Sequence, residues 1–144
     1  MLNKDLEDRI LRTNDWGLLA ILNEGLMDKF DESIKSIEEE NYQLTEELLS
    51  LSKDIMTELI VFFNKDSEIA RNFREIYLFV NKLITQGFIE KDGEYFEAAK
   101  KVIEPLVEGF NEKELSERAK VVTGLTYGPG DLDEYKNSGI TFEG

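Results

Sequence analysis

Residues 42–63 read YQLTEELLSLSKDIMTELIVFF, and the spacing of their apolar side chains decides the class of fold. Leu44, Leu48, Leu51, Ile55, Leu59 and Phe62 follow at steps of 4, 3, 4, 4 and 3. That rhythm sets all six on one face of an α-helix, whereas a strand would scatter them over both of its faces. Working outward, the same period recurs on either side. Leu19, Leu22, Leu26, Phe30, Ile34 and Ile37 precede it; Ile69, Phe73, Ile76, Val80, Leu83 and Gly87 follow, and then Phe96, Ala99, Ile103, Leu106 and Phe110. Four amphipathic helices are predicted, over about 15–40, 42–63, 67–89 and 93–111 or beyond.

The breaks between them have chemistry of their own. Asn14 suits the N-cap of the first long helix, with Asp15 at the positive end of its dipole. Asp66 or Ser67 serves the third, and Asp92 the fourth. The links are short and the rods similar in length, so the helices must fold back on one another, which predicts an all-α, antiparallel up-down four-helix bundle. Pro105 falls inside the fourth helix, where it removes a hydrogen bond and crowds the Lys101 carbonyl, so a kink is expected there. Ahead of the bundle, Leu2, Leu6 and Ile10 make a short amphipathic segment that is not stable alone and either lies against an apolar groove or frays.

Glycine and proline divide the chain into a regular part, 1–120, and a Gly-rich tail, 121–144, which holds five of the ten glycines and one of the two prolines. The stretch from Val121 to Tyr127 and the triplet Ile140-Thr141-Phe142 are strand-like, with turn residues Gly128-Pro129-Gly130-Asp131 between them. Two readings stand for this tail: a flexible appendage of charge −3, or an extended segment laying Leu125, Tyr127, Ile140 and Phe142 over an apolar groove.

Composition narrows the function. The 144 residues carry 31 acidic and 17 basic side chains, for a net charge of −14, with no His and no Cys. Disulfides, thiolate nucleophiles, imidazole bases and every zinc or di-iron set that needs Cys or His are excluded. The negative field opposes nucleic acid and anionic membranes. Apolar runs such as Leu59-Ile60-Val61-Phe62-Phe63 fall far short of the roughly 20 residues that span a bilayer. With no signal-peptide pattern at the start, cytoplasmic residence is the expectation. Carboxylate pairs exist, but no nucleophile or phosphate-binding glycine loop accompanies them. Binding without catalysis, cofactor or metal is the reading.

The helices also carry more apolar surface than one stripe each. Trp16, Leu18, Leu19, Ala20, Ile21 and Leu22 open the first; Ile55, Met56, Leu59, Ile60, Val61, Phe62 and Phe63 end the second. The third adds Phe73, Ile76, Tyr77, Leu78, Phe79, Val80, Leu83, Ile84 and Phe88. In an up-down bundle this surplus converges on one end and along the third helix. It is either a thick core or a groove for a partner helix. Gly25, mid-helix, costs about 1 kcal/mol relative to Ala and implies close approach of another backbone, from a bundle neighbour or from a ligand.

Two stretches then carry a resemblance. Thr13-Asn14-Asp15-Trp16-Gly17-Leu18-Leu19-Ala20-Ile21-Leu22-Asn23-Glu24-Gly25-Leu26 resembles the helix-opening segment of the flagellar secretion chaperones, the FliS family, with Asn23-Glu24-Gly25 where that family reads Tyr-Asp-Gly. Glu68-Ile69-Ala70-Arg71-Asn72-Phe73-Arg74-Glu75-Ile76-Tyr77, followed by Val80-Asn81-Lys82-Leu83-Ile84, is similar to its Ile-Ala-Lys-Asn-Leu…Tyr…Leu block. The likeness runs from about Ile10 to Phe110. It implies a helical bundle that binds the disordered C-terminal segment of flagellin in the cytoplasm and passes it to the export machinery, with the chaperone's own N-terminal segment covering part of that surface when the partner is absent. On this reading the client contacts are Leu18, Ile21 and Gly25 with Ile69, Asn72, Phe73, Tyr77 and Val80, and Tyr77 is half-exposed with its hydroxyl in water or on the client. The chaperone would be a monomer or weak homodimer; the competing reading is an acidic homo-oligomeric bundle, a structural or adaptor protein with a different client, whose surplus surface is its own oligomer interface.

Overall fold

The structure, a computed structural model, describes residues 4–122, with side chains through Glu117. Among them are five helices and no strand: α1 Lys4–Arg12, α2 Asp15–Glu38, α3 Tyr42–Phe62, α4 Glu68–Glu90 and α5 Glu94–Val122. The long helices fall where the periodicity put them. Asn14 caps α2 by accepting from the Gly17 amide at 3.0 Å. Ser67, not Asp66, caps α4 through the Ala70 amide, while Asp66 pairs with Arg71 at 2.7 Å. Asp92 accepts from the Glu94 amide at 2.9 Å at the start of α5. Asn41 caps α3 through Leu44, a role the sequence reading did not assign. α5 runs unbroken through Pro105 and reaches Val122, the last described residue. The other tail expectations, and Leu2, lie outside the described residues.

α2 packs on α3 and α5, and α4 packs on the same two helices. Across α2 and α5, Trp16 stacks on Phe110 and Phe30 lies against Phe96, so the two run in opposite directions. Across α2 and α3, Gly25 lies beside Ile55, and the Ser36 and Thr45 hydroxyls share a hydrogen bond of 2.6 Å, again in opposite order. These pairings are consistent with the up-down arrangement expected from the link lengths. At one end the aromatic rings Trp16, Phe63, Phe73 and Phe110 gather, with Phe63 and Phe73 stacked at 4.5 Å and only 10° from parallel. Part of the surplus apolar surface is therefore core.

The rotation of α3 differs from the expected one. Its buried face is Thr45, Leu48, Ser52, Met56 and Leu59, together with Leu49. Leu44, Leu51 and Phe62, assigned to the core by their period, are exposed. Thr45 and Ser52 tolerate burial because their hydroxyls donate to the carbonyls four residues back, Asn41 at 3.1 Å and Leu48 at 2.8 Å. α4 and α5 meet at Gly87, where a Cβ would lie 2.8 Å from the Phe96 ring and 2.9 Å from the Tyr95 Cβ, so only glycine lets the two helices close there.

Candidate partner-binding surface

The eight residues expected to contact a client separate into two sets. Phe73, Tyr77 and Val80 are buried, with Val80 and Tyr77 fully enclosed, and point into the core. The half-exposed placement of Tyr77 is thereby corrected. Its hydroxyl donates to Asn23 Oδ1 at 3.0 Å, and Asn23 Nδ2 in turn donates to the Leu19 carbonyl at 2.8 Å. This chain of bonds crosses the interior from α4 to α2 and accounts for an asparagine that is itself fully enclosed. Ile69 is partly buried and packs against the core, while Asn72 is exposed.

Burial pushes the Tyr77 phenol well above the usual tyrosine range. Above about pH 10 the unfolded chain releases a proton that the folded chain retains, so stability, full at lower pH, falls as pH rises, by about 1.4 kcal/mol per unit from this group. Urea unfolding at about pH 9 and about pH 11 should therefore show a steeper loss for the wild type than for Tyr77→Phe, which has no phenol to titrate.

The second set, Leu18, Ile21 and Gly25, lies on the flank of α2 that turns toward α3. Each is partly buried, and beside them α3 sets the outer members of its six-residue apolar stripe, Leu44, Leu51, Ile55 and Phe62, while Leu48 and Leu59 of that stripe are buried. Leu51 is 48% exposed and Phe62 42%. In the antiparallel register fixed by Gly25 beside Ile55, Leu18 falls level with Phe62, so the two stripes form one apolar strip along the α2–α3 seam. A further exposed apolar area lies on α4, where Leu78 and Phe79 are each 52% exposed. Between α4 and α5 a shallow cavity of about 280 Å³ is lined by Leu83, Asp92, Glu94, Tyr95 and Ala98.

Gly25 does not serve the packing role expected of it. A Cβ there would meet only Ile55 Cδ1, at 3.8 Å, an ordinary contact, so no bundle neighbour requires glycine. Gly25→Ala should raise stability by about 0.5–1 kcal/mol by removing a mid-helix glycine, read as a higher urea midpoint at unchanged slope. Gly17, like Gly87, does need its hydrogen: a Cβ would collide with Thr13 and Glu114. There the Thr13 hydroxyl donates to the Glu114 carboxylate, and Asn14 Nδ2 reaches the Glu114 carbonyl, so the link between α1 and α2 is tied to α5. Arg9 adds a 2.7 Å ion pair with Glu24 and a 3.2 Å bond to Asn111. α1 has no buried residue and is held on α2 and α5 through such polar contacts. Sequence reasoning missed Glu114, whose partner Thr13 lies 101 residues away.

What the fold and this surface define is a helical scaffold with exposed apolar strips. Among the described residues no helix is long and apolar enough to cross a membrane, and no group of three or more His, Cys, Asp or Glu could hold a metal ion. The family model for the flagellar protein FliS matches residues 1–117, and the chain belongs to that family, a family of export chaperones rather than enzymes. No curated protein matches the chain.

Proposed function

We propose that this protein is a cytoplasmic flagellar export chaperone whose helices α2–α5 form an antiparallel up-down four-helix bundle that binds the C-terminal segment of flagellin and keeps it from polymerising before secretion. The observation that carries the reading is the apolar strip along the α2–α3 seam, open to solvent in a chain of this family. A client segment that folds only on binding spends part of its interaction energy on ordering, and needs a long apolar track to recover it. The strip offers such a track from Leu18 and Phe62 to Leu44, and Gly25 lies on it with no Cβ to hold a client backbone away. No step of this activity needs a metal, a cofactor or a reacting group, and the binding site would be Leu18, Ile21, Gly25 and the exposed face of α3, with Asn72 and Ile69 on a second contact along α4.

Co-expression with the flagellin of the same genome tests the reading. The two should co-purify, and flagellin lacking its C-terminal segment should not. Recovery of the truncated flagellin in equal yield would sink the proposal.

A further inference from the structure

The apolar strip on the α2–α3 seam is bordered by carboxylates on both helices. On α2 the spacing of Leu18, Ile21 and Gly25 continues at the same 3 and 4 steps into Asp28 and Glu32. On α3, Glu47, Asp54 and Glu58 are exposed and lie within a quarter turn of Leu51 and Phe62 on the side away from the core. Lys29, a cation on this flank of α2, already pairs with Glu32 at 3.2 Å. Asp28, Glu47, Asp54 and Glu58 have no ion-pair partner among the described residues. The Asp28 carboxyl is held above its ordinary value by burial first and then by Asp31, with Glu32 and Glu24 adding to it and Lys29 opposing.

We infer that this seam takes an amphipathic helix whose apolar stripe is flanked by Lys or Arg. The inference rests on the reading of the chain as a binding protein and specifies the chemistry of the segment it holds. Charge decides between occupants. A second copy of this chain brings −14 to a rim that is already negative, and the chain's own tail, residues 121–144, brings −3. Either would set like charges beside unpaired carboxylates. A cationic flank would neutralise them, and its aliphatic stems would extend the apolar contact beyond the strip.

The test uses the full chain and two synthetic helical peptides of about five turns that share one Leu/Ile stripe, one flanked by Lys and the other by Glu. Titration calorimetry at low salt should give at least about tenfold tighter binding of the Lys peptide, and most of that preference should vanish at about 1 M NaCl, where charges are screened beyond about 3 Å. In the variant Glu47→Lys/Asp54→Lys/Glu58→Lys the preference should reverse. The neutral set Asp28→Asn/Glu47→Gln/Asp54→Asn/Glu58→Gln, which adds no repulsion along the seam, should abolish it. Equal binding of the two peptides, or a preference that survives the neutral variant, overturns the inference. So does self-association of the wild type that buries Leu51 and Phe62 against a second copy. Capture of flagellin by the same wild-type sample is scored separately. If flagellin binds while the peptides are not discriminated, the charge rule fails and the chaperone reading stands. If the peptides are discriminated but flagellin is not captured, the reverse holds.

Discussion

Tyr77→Ala should destabilise the fold by about 3–5 kcal/mol, the range for deleting a buried aromatic ring. The loss has two sources. The ring is fully enclosed near Phe63, whose ring centre is 6.5 Å away, and its removal leaves a cavity that helices already stacked through Phe63 and Phe73 cannot readily fill. The hydroxyl also satisfies Asn23 Oδ1, which has no access to water. Tyr77→Phe separates the two: it keeps the ring and orphans the amide oxygen, for about 1–3 kcal/mol. Adding Asn23→Leu to Tyr77→Phe should recover part of that, since an apolar pair removes both polar partners together. Urea unfolding of the three variants checks the series. A stability change below about 1 kcal/mol for Tyr77→Ala would mean the residue is not in the core.

The second large effect concerns binding and should leave the fold alone. Leu51→Glu/Phe62→Glu places two carboxylates on the apolar strip, at positions roughly half open to solvent, so unfolding free energy should move by less than about 1 kcal/mol in total. Flagellin affinity should fall by about 2–4 kcal/mol, the sum of two moderate hot spots, or roughly 30- to 1000-fold. The combination of near-normal stability with lost binding is what separates a contact surface from a core face. Calorimetric titration beside a urea curve reads both. Affinity within about threefold of wild type would remove the seam from the contact surface.

Both predictions turn on something the sequence carries only ambiguously, which is the rotation of each helix. Helix positions and ends were legible because the apolar period is long and the caps are short polar residues with side chains of the right reach, as Asn14 and Ser67 show. The face of α3 was not. The six-residue apolar stripe is split: Leu48 and Leu59 are buried with the neighbouring Thr45, Ser52 and Met56, while Leu44, Leu51 and Phe62 are exposed and Ile55 is partly buried. Hydropathy favours burying the whole stripe, yet the helix is turned toward Thr45 and Ser52, whose hydroxyls find carbonyls within their own helix and so cost little to enclose. An apolar face left outside while a partly polar face turns inside is the pattern expected of a surface kept for a partner.

Tyr77 fails for a different reason. Its partner Asn23 is 54 residues away, and an amphipathic ring reads equally well as a half-exposed contact or as a buried group with one hydrogen bond. Only the long-range pairing distinguishes them. The Thr13–Glu114 contact spans 101 residues and was illegible for the same reason. On α2 the pattern is easier to read, because the core stripe of Leu19, Leu26 and Phe30 is complete without Leu18, Ile21 and Gly25, which are left on its partly open flank.

The central claim is that the α2–α3 seam holds the C-terminal segment of flagellin. A photo-crosslinking residue placed at Leu51, with a second protein carrying it at the exposed Lys101 on α5 as the control, measures this directly. On irradiation with flagellin, the Leu51 probe should form an adduct whose peptide map lies in the flagellin C-terminal segment, and the Lys101 probe should form little. An adduct at Lys101 but not at Leu51, or a Leu51 adduct mapping elsewhere in flagellin, would contradict it.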